Sequence, residues 1–213
     1  MNNTNNKREH DFWLSNFGEE YFARNNTYEY NNSIYKGYTG VDLSDIYDYF
    51  FSDLSRDLTI LEIGCNIGLK LEILQKMGFR NLTGLDLNAN ALEVAKKHHP
   101  QLNFINSTIE DLDPKSHRYD LVFTSVVLIH QNPKSLNSVI NKIIDISQKY
   151  IFGHEYYSEN LMEIDYRGNK GVMWKQDFPK LFKKIEPKLE LIKQKKYPYL
   201  KDDLEDIGYL FKK

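Results

Sequence analysis

Gly64 and Gly68 stand four residues apart, in a stretch where a ligand could contact the backbone directly. The apolar run Leu58–Ile63 predicts a buried strand that breaks at Gly64, and residues 67–77 then have helical spacing. Glycine lets the chain turn sharply and lets a ligand approach the backbone, while the next helix presents free N–H groups. The stretch therefore predicts a ligand-binding strand–loop–helix. It is not the dinucleotide fingerprint, because Asn66 occupies the place of the second glycine.

An acidic side chain ends the next predicted strand, residues 81–86. Asp86 follows Gly68 by 18 residues, the span of one helix, a turn and a strand. A carboxylate in this place can accept hydrogen bonds from both ribose hydroxyls of an adenosine. Together with Glu62, the pattern resembles motif I and the following acid of the class I S-adenosylmethionine-dependent methyltransferases. An α/β protein with an ordinary glycine turn is the alternative.

The resemblance implies a set of residues that contact S-adenosylmethionine or its product, S-adenosylhomocysteine. That set is Tyr21, Arg24, Glu62, Gly64, Cys65, Asn66, Gly68, Asp86, Leu87, Thr108, Ile109, Thr124 and Ser125, with Thr108 and Ile109 flanking the adenine. Gly64 and Gly68 would cradle the methionine part, and Thr124 and Ser125 would lie beneath the sulfonium. The third strand departs from the family pattern, because Asn106 stands where an aspartate often faces the adenine amine.

A histidine follows the fourth predicted strand, on the side of the cofactor's methyl group. The implied reaction is in-line displacement at a sulfonium methyl, in which the leaving group is neutral and catalysis is mainly positioning. A general base helps when the acceptor is a hydroxyl, and an imidazole can take a proton near neutral pH. We therefore expect His130 to be the catalytic residue. A histidine that only packs at a strand end is the alternative.

Further along, tyrosines and an arginine stand beside one another in a polar segment. The residues expected to bind the acceptor are Glu155, Tyr156, Tyr157, Tyr166 and Arg167. Tyrosine offers a flat apolar face with a polar tip, and arginine offers a planar fork for phosphate or carboxylate. This mixture favours an anionic or sugar-like acceptor. Alternatively, the tyrosines are half-buried and Arg167 pairs with Glu163 or Asp165.

Four stretches in one order extend the resemblance over nearly the whole chain. They are Phe12-Trp13 with residues 17–21, residues 62–68, residues 127–133, and Glu155 through Gly168. Together they resemble the methylase group associated with pseudaminic acid biosynthesis. The resemblance implies O-methylation of a small acceptor in surface-glycan biosynthesis, for a capsule or a nonulosonic acid. A sugar precursor or a phosphoramidate-type decoration would fit.

Two other functions stay open from the sequence. Methylation of RNA or another macromolecule is one, although residues 124–127, Thr-Ser-Val-Val, lack the Asn/Asp-Pro-Pro-aromatic loop of amino-methylases of bases. A lysine-rich segment, residues 180–196, is interrupted by acidic residues and is typical of a solvated surface. The other is a scaffold that binds the cofactor without catalysis, since the glycine loop and Asp86 speak only for binding.

Composition narrows the setting in which these residues would act. The 213 residues carry 28 basic and 30 acidic side chains, so no overall charge attracts nucleic acid. The single cysteine excludes an internal disulfide and favours a reducing compartment, and no apolar leader or membrane span is present. We expect a cytoplasmic protein with a small-molecule acceptor and no metal, membrane or nucleic-acid partner. The oligomeric state stays open.

The elements that must position these residues alternate between strands and helices. Strands at 58–63, 81–86, 102–105, 119–124 and 149–155 alternate with helices at 67–77, 89–98 and 133–147, and 189–195 with 207–211 would form a closing antiparallel pair. We therefore expect an α/β fold with a doubly wound, mostly parallel seven-stranded sheet. Residues 1–56, with helices at 10–24 and 41–54 and a loop at 25–40, would form a helical lid of the same domain. Residues 57–213 would form the S-adenosylmethionine-binding core.

Overall fold

The computed structural model describes residues 7–25 and 27–213, which form a seven-stranded sheet with helices on both faces. The strands are β1 (Thr59–Ile63), β2 (Asn81–Asp86), β3 (Asn103–Asn106), β4 (Tyr119–Ser125), β5 (Ser147–Tyr156), β6 (Met162–Glu163), β7 (Trp174–Lys175), β8 (Glu190–Pro198) and β9 (Glu205–Lys212). The helices are α1 (Lys7–Trp13), α2 (Asn16–Arg24), α3 (Tyr28–Thr39), α4 (Leu43–Phe51), α5 (Leu69–Lys76), α6 (Ala89–His98), α7 (Leu136–Ile146) and α8 (Phe178–Ile185).

The strand order places a ligand site in the middle of the sheet. The order is β3-β2-β1-β4-β5-β9-β8, with β1 to β5 parallel and β9 antiparallel to both of its neighbours. The connections leave in opposite directions from β1 and from β4, so the topological switch point lies between these two strands. Ligands of open α/β sheets bind beyond the carboxyl ends of the strands at such a point. The predicted fold class is confirmed.

Helices bury both faces of the sheet. On one face α7 places Leu136, Val139, Ile140, Ile143 and Ile144 at helical spacing against the strands, and α8 joins them. On the other face the aromatic residues of α4 pack with α5 against β1, β4, β5 and β9. The helix α4 therefore belongs to the core, although it falls in the segment that the sequence assigned to the lid.

The N-terminal segment also differs from its prediction in how its first helix is divided. The predicted helix over residues 10–24 is two helices, because Ser15 caps α2 by accepting from the Phe17 N–H. Gly18 lies inside α2, packed so closely on the Trp13 carbonyl that a Cβ would clash. The first six residues of the predicted lid lie outside the described residues.

The predicted loop over residues 25–40 is instead mostly the helix α3. Thr27 caps its start by accepting from the Tyr30 N–H, and Gly40 ends it in the left-handed region at φ 75°. Both cap signals are present in the sequence, but α3 is largely exposed and lacks the apolar stripe that periodicity detects. The segment before β8 also contains a small hairpin, β6 with β7, which the sequence pattern does not predict.

Candidate functional site

A cavity opens at the carboxyl ends of β1, β2 and β4, and α1 and α2 roof it. It encloses about 870 Å³, open solvent at its mouth included. Of the predicted site residues, eight line it: Tyr21, Gly64, Cys65, Asn66, Asp86, Leu87, Ser125 and His130. The lining residues that were not predicted from the sequence are Trp13, Gly18, Phe22, Asn25, Asn31, Ile67, Leu69, Lys70, Asn88, Ala91, Val126, Val127 and Gln131.

The glycine loop forms the floor of the cavity next to β1. Gly64 and Gly68 have φ of 69° and 82°, and Asn66 also lies in the left-handed region at 50°. A Cβ on Gly64 would lie 2.6 Å from the Val127 side chain, so this glycine lets the turn after β4 approach the loop. Gly68 itself is buried and does not line the cavity.

Asp86 is held rigidly at the end of β2. One carboxylate oxygen accepts from the Asn66 N–H at 2.8 Å and the other from the Asn88 N–H at 2.9 Å. Burial raises the pKa of Asp86, and these backbone hydrogen bonds oppose the rise. Each oxygen retains a lone pair, so the side chain can still accept two hydrogen bonds from a ligand in the cavity.

The turn after β4 contains the strained residue of the site. Val126 lines the cavity with φ of 59°, a conformation that β-branched residues rarely adopt. Its N–H donates to the His154 carbonyl at 2.8 Å. The Glu155 carboxylate then accepts from the Val127 N–H at 3.0 Å and from the Ile129 N–H at 3.5 Å. Buried hydrogen bonds thus hold this turn in place.

The prediction that Glu155 lies in the acceptor pocket is therefore wrong. Its side chain has 0% exposure and faces backbone N–H groups instead of the cavity. Burial raises its pKa to about 7, against hydrogen bonds from Thr124 and the turn that favour the ionised form. A carboxylate in this place supports the turn that reaches the cavity.

His130 lies in the cavity wall as a neutral imidazole. Its Nδ1 is 2.8 Å from the Val172 carbonyl oxygen, which can only accept, so Nδ1 carries the proton and Nε2 keeps its lone pair. Burial lowers the pKa of His130 to about 4. The rings of Trp13 and Tyr166 lie 4.7 and 5.2 Å from it, centroid to centroid. His130 can accept a hydrogen bond at neutral pH but is a weaker base than the sequence suggested.

The remaining predicted acceptor residues also lie outside the cavity lining. Tyr156 is directed toward Tyr199 and the buried Asp206, and Tyr157 lies under the Lys196 ammonium, 3.6 Å from its ring centroid. These two tyrosines therefore pack between β5, β8 and β9. Tyr166 contacts a lining residue through its ring on His130, and Tyr156 lies near both Tyr166 and Tyr21.

Two arginines converge near the same rings. Arg167 is exposed in the left-handed region at φ 53°, and no described ion pair joins it to Glu163 or Asp165. Arg24 lies 5.9 Å from the Phe17 ring, and its Nη2 is buried without a hydrogen-bond partner among the described residues. Burial raises the pKa of Tyr166 to about 12, and the positive charges of both arginines oppose that rise. The outer edge of the site is thus cationic.

Four predicted cofactor residues lie beside or beneath the cavity. Thr108 donates to Asp111 at 2.8 Å, and Ile109 is buried in the core, so neither flanks the cavity. Thr124 and Glu62 are buried in β4 and β1. Leu87, Asn88 and Ala91 line the part of the wall next to Asp86 instead.

Polar contacts hold the roof on the cavity. The Glu19 carboxylate of α2 accepts from the side-chain amides of Asn88 at 3.2 Å and Asn90 at 3.0 Å, at the start of α6. In α1, the buried Glu9 accepts from Asn132 at 3.0 Å. Arg8 donates to a backbone carbonyl of the loop before β7 at 2.9 Å. These bonds join the roof to three separate parts of the core.

Residues 7–25 and 27–213 contain neither a candidate metal site nor a helix that could span a membrane. No cluster of three or more histidine, cysteine, aspartate or glutamate side chains with metal-binding geometry occurs among them. Across the same ranges, every helix is too short or too polar to cross a membrane.

Known proteins share the core of this chain and its fold. Residues 60–149 match a family model described as a methyltransferase domain. The ubiquinone biosynthesis O-methyltransferase of Rickettsia bellii is 38% identical over 84 residues, which are 38% of this chain and 34% of that protein. The mitochondrial one of Candida albicans is 35% identical over 81 residues, 34% and 24% of the two chains. The chain spans between 24% and 42% of the length of the curated relatives it matches.

Solved structures match over the full length. Magnesium protoporphyrin IX methyltransferase from Synechocystis PCC 6803, with bound S-adenosylmethionine, has a TM-score of 0.72 at 12% identity and covers 100% of both chains. Burkholderia thailandensis 1,6-didemethyltoxoflavin-N1-methyltransferase, with S-adenosylhomocysteine bound, has a TM-score of 0.71 at 15% identity and covers 97% of this chain and 89% of that one. Residues 60–149 thus form an S-adenosylmethionine-dependent methyltransferase domain, in a chain with the class I methyltransferase fold.

Proposed function

We propose that this protein transfers the methyl group of S-adenosylmethionine to an oxygen of a small, polar, anionic acceptor. One observation carries the proposal: a single roofed cavity contains the glycine loop, Asp86 and the neutral imidazole of His130. The first two features suit the cofactor and the third suits an acceptor hydroxyl. O-methylation is further supported by the two curated relatives described above, which are O-methyltransferases by name.

The cofactor is proposed to lie along the floor of the cavity. Its ribose hydroxyls donate to Asp86, whose oxygens are already oriented by two backbone N–H groups. Leu87 and Ala91 would hold the adenine, and the loop at Gly64 would hold the methionine part. In this arrangement Ser125, which lines the cavity at the end of β4, would lie next to the sulfonium. S-adenosylhomocysteine, the product, would bind in the same way.

At the methyl end, His130 is proposed to orient the acceptor. The attacking oxygen must lie in line with the S–CH₃ bond, and the leaving thioether needs no proton. A hydroxyl acceptor donates to Nε2 of His130, which takes the proton as the oxygen–methyl bond forms. Because its pKa is about 4, His130 is unprotonated from about pH 5 upward, yet it is a weak base. Its main contribution is therefore orientation.

The acceptor's anionic group is proposed to lie at the outer edge of the cavity, between Arg24 and Arg167. Both guanidinium groups lie near the Tyr166 hydroxyl, and Tyr166 packs on His130. An arginine fork matches carboxylate and phosphate. The acceptor proposed from the family resemblance, a precursor in surface-glycan biosynthesis or a phosphoramidate-type decoration, carries such groups.

The roof argues against the two alternatives left open by the sequence. A polymer such as RNA could not enter beneath α1 and α2 while they are bonded to the core. Of the lysines in the 180–196 segment, Lys193 pairs with Asp53, Lys196 with Glu205, and Lys183 donates to backbone carbonyls. A scaffold without catalysis would not need an acceptor-facing imidazole in its cofactor cavity.

Transfer of radiolabelled methyl groups tests the proposal. The purified chain is incubated with methyl-labelled S-adenosylmethionine and separate panels of anionic sugars and sugar nucleotides, small phosphates, catechols and transfer RNA. We expect label in an anionic sugar or phosphate acceptor. His130→Ala should lower kcat by about 10²-fold, the lower end for a general base. His117→Ala, at a surface histidine, is the matched control.

Label in transfer RNA with none in small molecules would contradict the proposal. Binding of S-adenosylhomocysteine without transfer to any panel would support the scaffold. For an ionised acceptor, Arg167→Lys should raise KM several-fold more than kcat falls, because an ammonium cannot reproduce the bidentate fork.

A further inference from the structure

Lys70 is the cationic residue in the wall of the cofactor cavity that the glycine-loop motif does not explain. It is the second residue of α5, the helix that begins after the Gly68 cap. Its side chain is half-buried, and it lines the cavity. Its charge acts on four buried groups, Glu62, Cys65, Asp86 and His154. The ammonium therefore lies above the ends of several strands and is not directed outward from the helix.

No acidic side chain pairs with this ammonium within the described ranges. Their ion pairs and hydrogen bonds leave Lys70 out, whereas Lys76 on the same helix bonds to Glu72 at 2.6 Å. The charge of Lys70 acts on Asp86, but no described ion pair or hydrogen bond joins the two side chains. Glu62 is fully buried, and neither of its oxygens has a close hydrogen-bond partner. A half-buried cation without a partner at a ligand cavity favours an anionic ligand group.

The arginine predicted from the sequence to contact the cofactor lies instead at the outer edge of the site, where it is proposed to face the acceptor. Arg24 does not line the cavity, and its Nη1 lies 3.4 Å from the Glu20 carboxylate on the preceding turn of α2. Its guanidinium also lies over the Phe17 ring. Among the residues that line the cavity, a second lysine or an arginine does not occur.

We propose that Lys70 binds the carboxylate of the cofactor's methionine part. This inference rests on the proposed cofactor position, which puts the amino-acid end over the loop between Gly64 and Asn66. From the next turn of chain, Lys70 reaches the same space, and the free N–H groups of the first turn of α5 add donors. A charge-assisted hydrogen bond from an ammonium to a carboxylate is strong in a partly buried site.

Three ligands separate this role from a general effect on the site. S-adenosylhomocysteine carries both the carboxylate and the ammonium of the amino-acid end. Decarboxylated S-adenosylmethionine has the ammonium without the carboxylate, and 5′-methylthioadenosine has neither group. Calorimetry on Lys70→Met should show about 10- to 100-fold weaker binding of S-adenosylhomocysteine. The affinity for the other two ligands should change less than about twofold, the usual scatter of such comparisons. Lys70→Arg should restore most of the loss.

Two further variants complete the design. Asp86→Ala should weaken all three ligands, because each contains the ribose that Asp86 is proposed to bind. Lys76→Met, on the outer face of α5, should bind every ligand as the unaltered chain does. Circular dichroism checks that each variant is folded.

Equal losses for all three ligands in Lys70→Met, or no loss for any, would overturn the assignment. So would a selective loss of S-adenosylhomocysteine binding in Arg24→Met with none in Lys70→Met. If the unaltered chain bound none of the three, the proposed cofactor site itself would fall, which is a distinguishable result.

Discussion

At the scale of single residues, the support of the turn after β4 connects Glu155 to catalysis. Val126 is held at φ 59°, which costs of order 1–3 kcal/mol and persists only where the surroundings impose it. Glu155 supplies part of that support by accepting from two N–H groups of the turn. Since the same turn carries His130 into the cavity, Glu155 is expected to be a positioning residue.

Replacing this carboxylate should therefore slow catalysis more than it weakens binding. In Glu155→Gln one oxygen becomes an amide nitrogen, which cannot accept, so the Val127 N–H loses one of its two acceptors and both N–H groups lose a charged one. The cost is about 1–3 kcal/mol. We expect kcat to fall by about 10- to 100-fold through misplacement of the acceptor, with little change in KM. Steady-state kinetics and urea unfolding measure the two effects.

A second substitution distinguishes positioning from direct contact. Glycine tolerates the conformation of Val126 without strain, so Val126→Gly in the Glu155→Gln background should recover part of the lost rate. If Glu155→Gln instead raised KM for the acceptor at unchanged kcat, direct contact with the acceptor would be restored as the explanation.

At the scale of elements, α1 and α2 decide whether the cavity is open. None of their described residues belongs to either core cluster. Polar contacts join them to the core, together with the rings of Trp13 on His130 and of Phe17 on Tyr166. Segments held in this way open at low free-energy cost compared with core helices. The lid predicted from the sequence thus corresponds to these two helices, and its opening and closing stay a prediction.

Cutting one of these contacts should speed the exit of the product. In Glu19→Ala the amides of Asn88 and Asn90 lose their charged acceptor. We expect dissociation of S-adenosylhomocysteine to become about 3- to 30-fold faster in stopped flow. Asp11→Ala, at an exposed position of α1, is the matched control.

Removal of residues 1–26, ending just before the Thr27 cap of α3, is the stronger form of the same test. Turnover should be lost while circular dichroism still reports a folded core. A truncated chain with full activity and unchanged product dissociation would show that α1 and α2 are not a lid.

At the scale of the whole molecule, buried ionisable groups under the sheet's carboxyl ends couple folding to pH. Burial raises the pKa of Glu62 to about 8, and the charge of Lys70 opposes the rise. Its folded pKa therefore exceeds its unfolded value of about 4.3. The neutral acid stabilises the fold fully below that unfolded value, and the stabilisation is lost as pH rises through about 8.

This linkage predicts how one substitution changes the pH profile. Between about pH 5 and 8, one such group lowers the free energy of unfolding by up to about 1.4 kcal/mol per pH unit. Glu62→Gln, which cannot ionise, should remove that part of the slope in urea unfolding of the ligand-free protein. Glu190→Gln, at an exposed residue of β8, should leave the slope as it is. An unchanged slope in Glu62→Gln would mean that Glu62 is already ionised in the folded chain.

Local spacing alone is enough to predict the sheet, the loop at Gly64 and Gly68, and the position of Asp86. Each of these depends on residues close together in the chain, where apolar periodicity and the distance from one strand to the next constrain the geometry. The same reasoning brings His130 to the cavity, because it follows a buried strand directly. The fold class and the cofactor end of the cavity are therefore determined by the amino-acid sequence at short range.

Tertiary structure alone decided which polar side chains enter the cavity and which support it from beneath. Glu155 lies at the carboxyl end of its strand as Asp86 does, but the turn after β4 folds over it and makes its carboxylate a buried acceptor. Lys70 reaches the cavity only because α5 begins at the strand switch point. A strand position gives the end of the sheet at which a residue lies. The direction of its side chain depends on backbone N–H groups from distant segments that need an acceptor, and their positions arise only on folding.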